Sequence, residues 1–247
     1  MSGGGLNETW TYGYDAASNL TSIAKPNGTE SYGYDALDRL NSYTLPTQAP
    51  VTYGYDDVGN RLSETQSGVT IDHTYGSTSN RQLTAAGISI GYDANGNRTS
   101  DATRTLGYDV RNRLRQVAIG GTTVGTYTIN ALGQRVRKVA GSSDVDYVYD
   151  LIGRLIGEYA NGTLIREYVY LDNLPVAQIA ANGAVTYLHP DHLGTPRSAT
   201  NANAQVVWRW DSDPFGKATP NEDPDGDMTN VTVNLRFPGS MPTWRAG

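Results

Sequence analysis

The sequence predicts an all-β protein of tandem β-hairpins joined into a curved or spiralling antiparallel sheet. Three observations carry this. A Tyr-x-Tyr-Asp unit recurs about every 20 residues along nearly all of the 247-residue chain. Only 18% of residues are charged, against roughly a quarter in ordinary domains. The difference is made up by 28 Gly, 17 Tyr and many Asn, Ser and Thr, a mix that favours strands and turns. Finally, Asn-Gly and Gly-Gly pairs punctuate alternating segments where hairpins must reverse.

Taken in order, the first copies are Tyr12-Gly13-Tyr14-Asp15, Tyr32-Gly33-Tyr34-Asp35 and Tyr53-Gly54-Tyr55-Asp56. Looser copies follow at Tyr75-Gly76, Tyr92-Asp93, Tyr108-Asp109, Tyr127-Thr128-Ile129-Asn130, Tyr147-Val148-Tyr149-Asp150 and Tyr168-Val169-Tyr170. Divergent copies are read at Tyr187 and at Trp208-Arg209-Trp210-Asp211. In each, Tyr-x-Tyr puts two rings on one face of a strand, because side chains alternate. The Asp then opens a turn, its carboxylate accepting from a backbone N–H two residues on. Gly59, Gly96, Gly133 and Gly153 stand where that turn needs positive φ. Leu20, Leu40, Leu62, Leu114, Val136 and Leu155 open the return strand. The second turn of the unit falls at Pro26-Asn27-Gly28, Gly120-Gly121, Asn161-Gly162 and Asn182-Gly183. Some twenty short strands result. Residues 103–118 and 128–139 tolerate helix, but the repeat register claims both for strands. The Tyr rings are expected to pack in ladders along one face as core rather than as ligand platforms.

Composition excludes several function classes. A net charge of −6 argues against a nucleic-acid surface. No stretch approaches the roughly 20 apolar residues of a membrane span. With no Cys there is no disulfide, thiolate metal site or cysteine nucleophile. Met1-Ser2-Gly3-Gly4-Gly5 lacks the charged and apolar regions of a secretory signal.

The unit Tyr149-Asp150-Leu151-Ile152-Gly153-Arg154-Leu155 resembles the YD repeat of bacterial Rhs proteins and animal teneurins. Two further segments resemble the conserved end of the Rhs core. They are Tyr187-Leu188-His189-Pro190-Asp191-His192-Leu193-Gly194-Thr195-Pro196-Arg197, and Val207-Trp208-Arg209-Trp210-Asp211 with Asn234-Leu235-Arg236-Phe237-Pro238-Gly239. The resemblance implies a strip of hairpins that spirals into a hollow shell enclosing a toxin cargo. It also implies a larger protein that is secreted or displayed on the bacterial surface. The chain then divides into a flexible lead (1–11), a hairpin array (12–180), the core-end segment (181–239) and a divergent tail (240–247). The Asp-Pro-x-Gly motif that bears the family's autoprotease carboxylates does not occur after Gly239, where Ser240–Gly247 stand instead. Self-cleavage is therefore not carried over.

Few residues suggest chemistry of their own. The histidines are His73, His189 and His192. His189-x-Asp191-His192 has the residue types of a metal site, but its prolines fit a rigid turn. No nucleophile elbow or phosphate-cradling loop occurs. Asp223, Asp225 and Asp227 share the i, i+2, i+4 spacing by which calcium loops present oxygens. The Gly and Glu of an EF-hand are replaced by Met228 and Asn234, so calcium is the one cofactor the sequence suggests, and outside that motif.

The leading reading is a non-catalytic shell segment of an Rhs-type polymorphic toxin or a shortened relative. Its partners would be an upstream shell segment, a toxin cargo, or a second copy paired through open sheet edges. Two alternatives belong to other classes: a cell-surface module whose Tyr and Trp faces bind a glycan or a protein, and a hydrolase using the His189–Asp191 region.

Overall fold

A computed structural model describes residues 8–236. Those residues form 21 antiparallel strands and no helix. They fall into two compact units divided between Thr105 and Leu106. Residues 1–7 of the lead read at 1–11, Phe237-Pro238-Gly239 of the core-end segment and the whole tail read at 240–247 lie outside the described residues.

The first unit opens with β1 (Thr11–Tyr14), β2 (Leu20–Lys25), β3 (Gly28–Tyr34), β4 (Leu40–Thr44) and β5 (Val51–Tyr55). It continues with β6 (Arg61–Gln66), β7 (Val69–Tyr75), β8 (Gln82–Ala85), β9 (Ile88–Tyr92) and β10 (Arg98–Asp101). The strand β11 (Arg104–Tyr108) spans the division. The second unit holds β12 (Leu114–Ile119), β13 (Thr122–Ile129), β14 (Arg135–Ala140), β15 (Ser143–Tyr149) and β16 (Leu155–Ala160). Then come β17 (Thr163–Leu171), β18 (Leu174–Ala180), β19 (Val185–Pro190), β20 (Pro196–Thr200) and β21 (Val206–Arg209). Strands pair with their sequence neighbours, so each unit is a meander. The segments 103–118 and 128–139 are strand and turn, as the repeat register requires.

The pairing slips by one residue just before the second ring of most units. Shifts fall between Gly13 and Tyr14, Gly33 and Tyr34, Gly54 and Tyr55, Val148 and Tyr149, and Val169 and Tyr170. These bulges re-aim the second ring. The small residue between the rings has its own cause. A Cβ on Gly33 would stand 2.4 Å from Ser42 Oγ on the paired strand. Where Val148 replaces that glycine, the residue opposite is Gly157. The space is conserved by exchanging which strand gives it up.

Each unit has its own core. In the first, Tyr43, Leu45, Val51 and Tyr53 pack with Tyr32, Leu40 and Tyr55. A buried Lys25–Glu30 pair at 2.5 Å lies nearby, with Tyr32 OH donating to Glu30 at 2.6 Å. In the second, Tyr147, Leu155, Tyr168, Leu188, Trp208 and Trp210 surround Val233 and Leu235, which are fully buried. The first ring of a unit is the core ring: Tyr53, Tyr127, Tyr147 and Tyr168 are all buried. The expected ladder is built with guanidinium rungs as well as rings. Tyr43 stacks on Tyr53 at 6.0 Å, and Arg135 lies 5.5 Å from the Tyr127 ring and 5.2 Å from Tyr147.

Candidate functional site

The turn after most second rings is held by one side-chain oxygen, usually that of a carboxylate. Asp150 Oδ1 accepts from the backbone N–H of Ile152 at 3.1 Å and of Arg154 at 2.9 Å, while Oδ2 accepts from Arg154 Nε at 2.6 Å. The same staple recurs at Asp15, Asp35, Asp56, Asp93 and Asp109, with Asn or Arg as the i+4 partner. Asn130 and Asn201 do the same with an amide oxygen. Two backbone donors that the tight turn would leave unpaired are thereby satisfied. The residue before the i+4 partner takes positive φ: 92° at Gly59 and Gly153, 85° at Gly96, 84° at Gly133. Ser18, Asp38 and Asn112 fill the same position at 57–70°.

These donors hold the carboxylates in their charged form. The side chain and backbone N–H of Arg113 bring Asp109 down to about 2. Asp93 is lowered chiefly by the side chain of Asn97, and Asp15 by the backbone N–H of Asn19.

Successive units are joined through the same residues. The second-ring hydroxyl donates to the carbonyl that opens the preceding unit's return strand: Tyr34 to Leu20 at 2.9 Å, Tyr55 to Leu40 at 2.7 Å, Tyr170 to Leu155 at 2.9 Å. The staple arginine reaches forward. Arg39 donates to the Asp56 carbonyl at 2.9 Å, Arg113 to Asn130 at 2.7 Å, and Arg154 to Asp172. Arg39 and Arg154 also lie over the rings of Tyr55 and Tyr170, at 4.7 and 5.1 Å. Tyr, Asp and Arg of the repeat are thus consumed by the turn and by its neighbour.

The described chain closes with a cradle for its own last segment. Thr232–Arg236 forms no strand, yet Val233 and Leu235 are fully buried. Asn234 donates its amide to both oxygens of Glu158 at 3.0 and 2.8 Å, and Tyr168 OH donates to the same carboxylate. The Thr232 carbonyl accepts from Arg166 and from Gln178 Nε2, the latter at 3.1 Å. Arg236 lies 5.6 Å from the Trp208 ring and 4.9 Å from Trp210. A buried carboxylate with this many donors fits the rule that buried charge must be matched. Burial and the Glu158 charge push the Tyr168 hydroxyl pKa well up.

The residues singled out by sequence are placed as follows. Tyr14, Tyr34, Tyr55, Tyr92, Tyr149 and their following aspartates are staple elements; Tyr108 precedes the Asp109 staple. In the core-end segment the register differs from the aromatic count. The turn carboxylates there are Asp191 and Asp213, not Asp211, and Asn201 supplies a turn between them. Pro190 takes the second-ring position, so rings no longer mark the frame. Asp191 accepts from the N–H of Leu193 and Thr195 and from Arg197 Nε at 2.8 Å. His189 Nε2 is 2.9 Å from Thr200 Oγ1, and His192 is an exposed turn residue. His73 Nδ1 meets Gln82 Nε2 at 3.0 Å. Trp208 is fully buried, and Trp210 Nε1 donates to the Ala218 carbonyl at 2.7 Å. Asp223, Asp225 and Asp227 bring one oxygen each to within 4.8 Å of one another. Asp223 also accepts from the N–H of Asp227 and Met228, and Asp227 from that of Thr229, so two of the three cap their own turn. The repeat register does not predict the Glu158 cradle. Its only sequence signal is a carboxylate inside an otherwise apolar strand.

A sequence profile described as Teneurin YD-shell matches residues 9–230. The chain belongs to that family. Solved structures carry the same fold. A mutant Photorhabdus luminescens Tc holotoxin pore matches 95% of this chain at 17% identity with a TM-score of 0.72. A TcdB2–TccC3 structure without its hypervariable C-terminal region matches 96% at 15% identity with a TM-score of 0.70. At those identities the likeness shows fold alone. The YD shell here spans 14% of the length of each of those two chains. Among curated proteins no match is found. No helix of the described YD shell is long and apolar enough to cross a membrane.

Proposed function

We propose that the chain is a structural, non-catalytic segment of a YD shell belonging to an Rhs-type polymorphic toxin or a shortened relative, working outside the producing cell. The supporting observation is that the repeat's polar side chains are committed to the fold. Each staple Asp is engaged by its own turn, each forward-reaching Arg by the next turn, and Asp191 of the core-end motif by Arg197. An enzyme's acid, base or nucleophile must instead be presented to a substrate. Upstream YD repeats would continue the strip, and a toxin moiety is the cargo such a wall would enclose. The test is a panel of fluorogenic ester, peptide and glycoside substrates, run on the chain and on His189→Ala. No turnover above blank is expected from either protein. Turnover by the chain that disappears in His189→Ala would overturn the reading.

A further inference from the structure

Through the turns that open from Asp15 to Asp150, the residue closing one turn also meets the next, in a manner set by its length. Asn19 Nδ2 donates to Asp38 Oδ1 at 2.8 Å, and Asn60 Nδ2 to Asn80 Oδ1 at 3.3 Å. Asp38 and Asn80 each stand immediately before the closing residue of their own turn. Arg39 and Arg113 instead reach a backbone carbonyl, at Asp56 and Asn130. In those next turns the residue before the closing partner is Gly59 or Gly133. Arg81 and Gln134 also face glycines. A Cβ on Gly96 would stand 3.3 Å from Arg81 Nη2, and one on Gly153 3.4 Å from Gln134 Nε2. Asn97, the third short closing residue, is followed at that position by Asn112.

The division has a physical cause. An Asn amide is too short to cross to the backbone of the next turn, so that turn must extend an oxygen to it. A guanidinium or a Gln amide spans the gap itself and needs no such oxygen; at Gly96 and Gly153 it also leaves little room for one. Turn geometry alone does not produce this pairing. Positive φ suits Gly best and is tolerated by Asn and Asp, yet here the choice follows the residue that closes the turn before. A non-Gly residue at positive φ carries a conformational cost. It is found at Asp38 (57°) and Asn112 (59°), where an Asn precedes.

Ser18 holds the same position in the first of these turns. Its φ is 70°, and it is exposed with a hydroxyl to offer. Along the sheet each return strand lies against the first strand of the next unit, as β2 does against β3 and β4 against β5. A unit preceding β1 would lay its return strand on β1 in the same way. Tyr14, 54% exposed, would then donate to that strand's opening carbonyl as Tyr34 does to Leu20.

We propose that these two turn positions form a specificity pair, so that β1 takes as its neighbour a hairpin whose turn is closed by Asn rather than by Arg. The Asn amide would donate to Ser18 Oγ, repeating the contact that Asn19 makes with Asp38. Continuity with the joint between successive units is what favours this occupant over a second copy of the chain. The inference rests on the upstream-repeat reading for the hairpin itself, whereas the pairing is drawn from contacts inside the chain.

The test has two arms, both read as urea midpoints. In the first, Arg81→Asn and Gly96→Asn are made singly and together in the full chain. Together they should form the amide contact seen at Asn60 and Asn80, and the double variant's folding constant should exceed the value expected from the singles by at least about threefold. Arg81→Ala with Gly96→Asn should gain less, since it relieves crowding without supplying the amide. In the second arm, a copy of residues 51–68, closed by Asn60, is fused ahead of Glu8, beside a second copy carrying Asn60→Arg. The Asn copy should give the higher midpoint, and Ser18→Gly should abolish its advantage. No coupling in the first arm, or a preference indifferent to Ser18→Gly, would overturn the proposal. Hydrogen exchange separates the other failure. Fused amides of both copies exchanging at unfolded-chain rates would overturn the neighbour assigned to β1 and the upstream-repeat reading with it, while the first arm still judges the pairing.

Discussion

Asn234 donates its side-chain amide to both carboxylate oxygens of Glu158, across 76 positions of sequence, at 2.8 and 3.0 Å. The contact fixes an extended segment that has no strand partner. Val233 and Leu235 on either side are fully buried, so the polar pair sets the register in which two apolar side chains enter the core. Asn234→Ala removes two donors from a carboxylate that is 2% exposed. The expected loss is about 2 kcal/mol, read as a lower urea midpoint. Glu158→Gln should cost less, because the glutamine oxygen still accepts from Asn234 and from Tyr168.

The staple makes a sharper comparison available. Asp150→Ala deletes the acceptor for two backbone N–H groups and for Arg154, whereas Asp150→Asn keeps Oδ1, as Asn130 and Asn201 do in this chain. Melting temperature should fall in the order wild type, Asp150→Asn, Asp150→Ala. Equal loss for both variants would mean that the charge, rather than the turn geometry, is what matters.

Acid stability follows from the lowered aspartates. Asp109 falls from 3.8 to about 2 on folding, held by Arg113, and Asp15, Asp35 and Asp93 shift the same way. Their stabilisation is complete above the unfolded pKa. It is lost as pH falls from about 4 through about 2, where the unfolded chain binds more protons than the folded one. Urea midpoints at pH 6, 4, 3 and 2 should drop across that window, less steeply in Asp109→Asn.

Gly59 isolates backbone strain from packing. Its φ is +92°, and an added Cβ would meet nothing within 4 Å. Gly59→Ala should therefore cost about 1 kcal/mol by conformation alone, and Gly59→Asn less. Chemical denaturation of the two variants checks both values.

Much of this architecture was legible in the sequence because it is local. Asp150, Gly153 and Arg154 lie within one turn, and the repetition of their spacing states both the turn and its φ requirement. The frame was lost after Tyr170 for a physical reason. Pro190 occupies the second-ring position and Leu188 the core position ahead of Asp191, and the turn carboxylate after Trp208-Arg209-Trp210 is Asp213, two residues beyond where the repeat spacing puts it. The Glu158–Asn234 contact was not legible at all. It joins residues far apart through tertiary packing, and neither residue type at its position implies the other.

The central claim, that a single Asp or Asn side chain holds each stapled turn, is tested most directly by site-resolved hydrogen exchange. The measurement follows the i+4 amides that donate to the staple oxygens: Arg39, Asn60, Arg113, Gln134, Arg154 and Thr195. All should be protected in the wild-type chain, and Asp150→Ala should release Arg154 while the others stay slow. Exchange of these amides at unfolded-chain rates in the wild type, or unchanged protection of Arg154 in Asp150→Ala, would contradict the account.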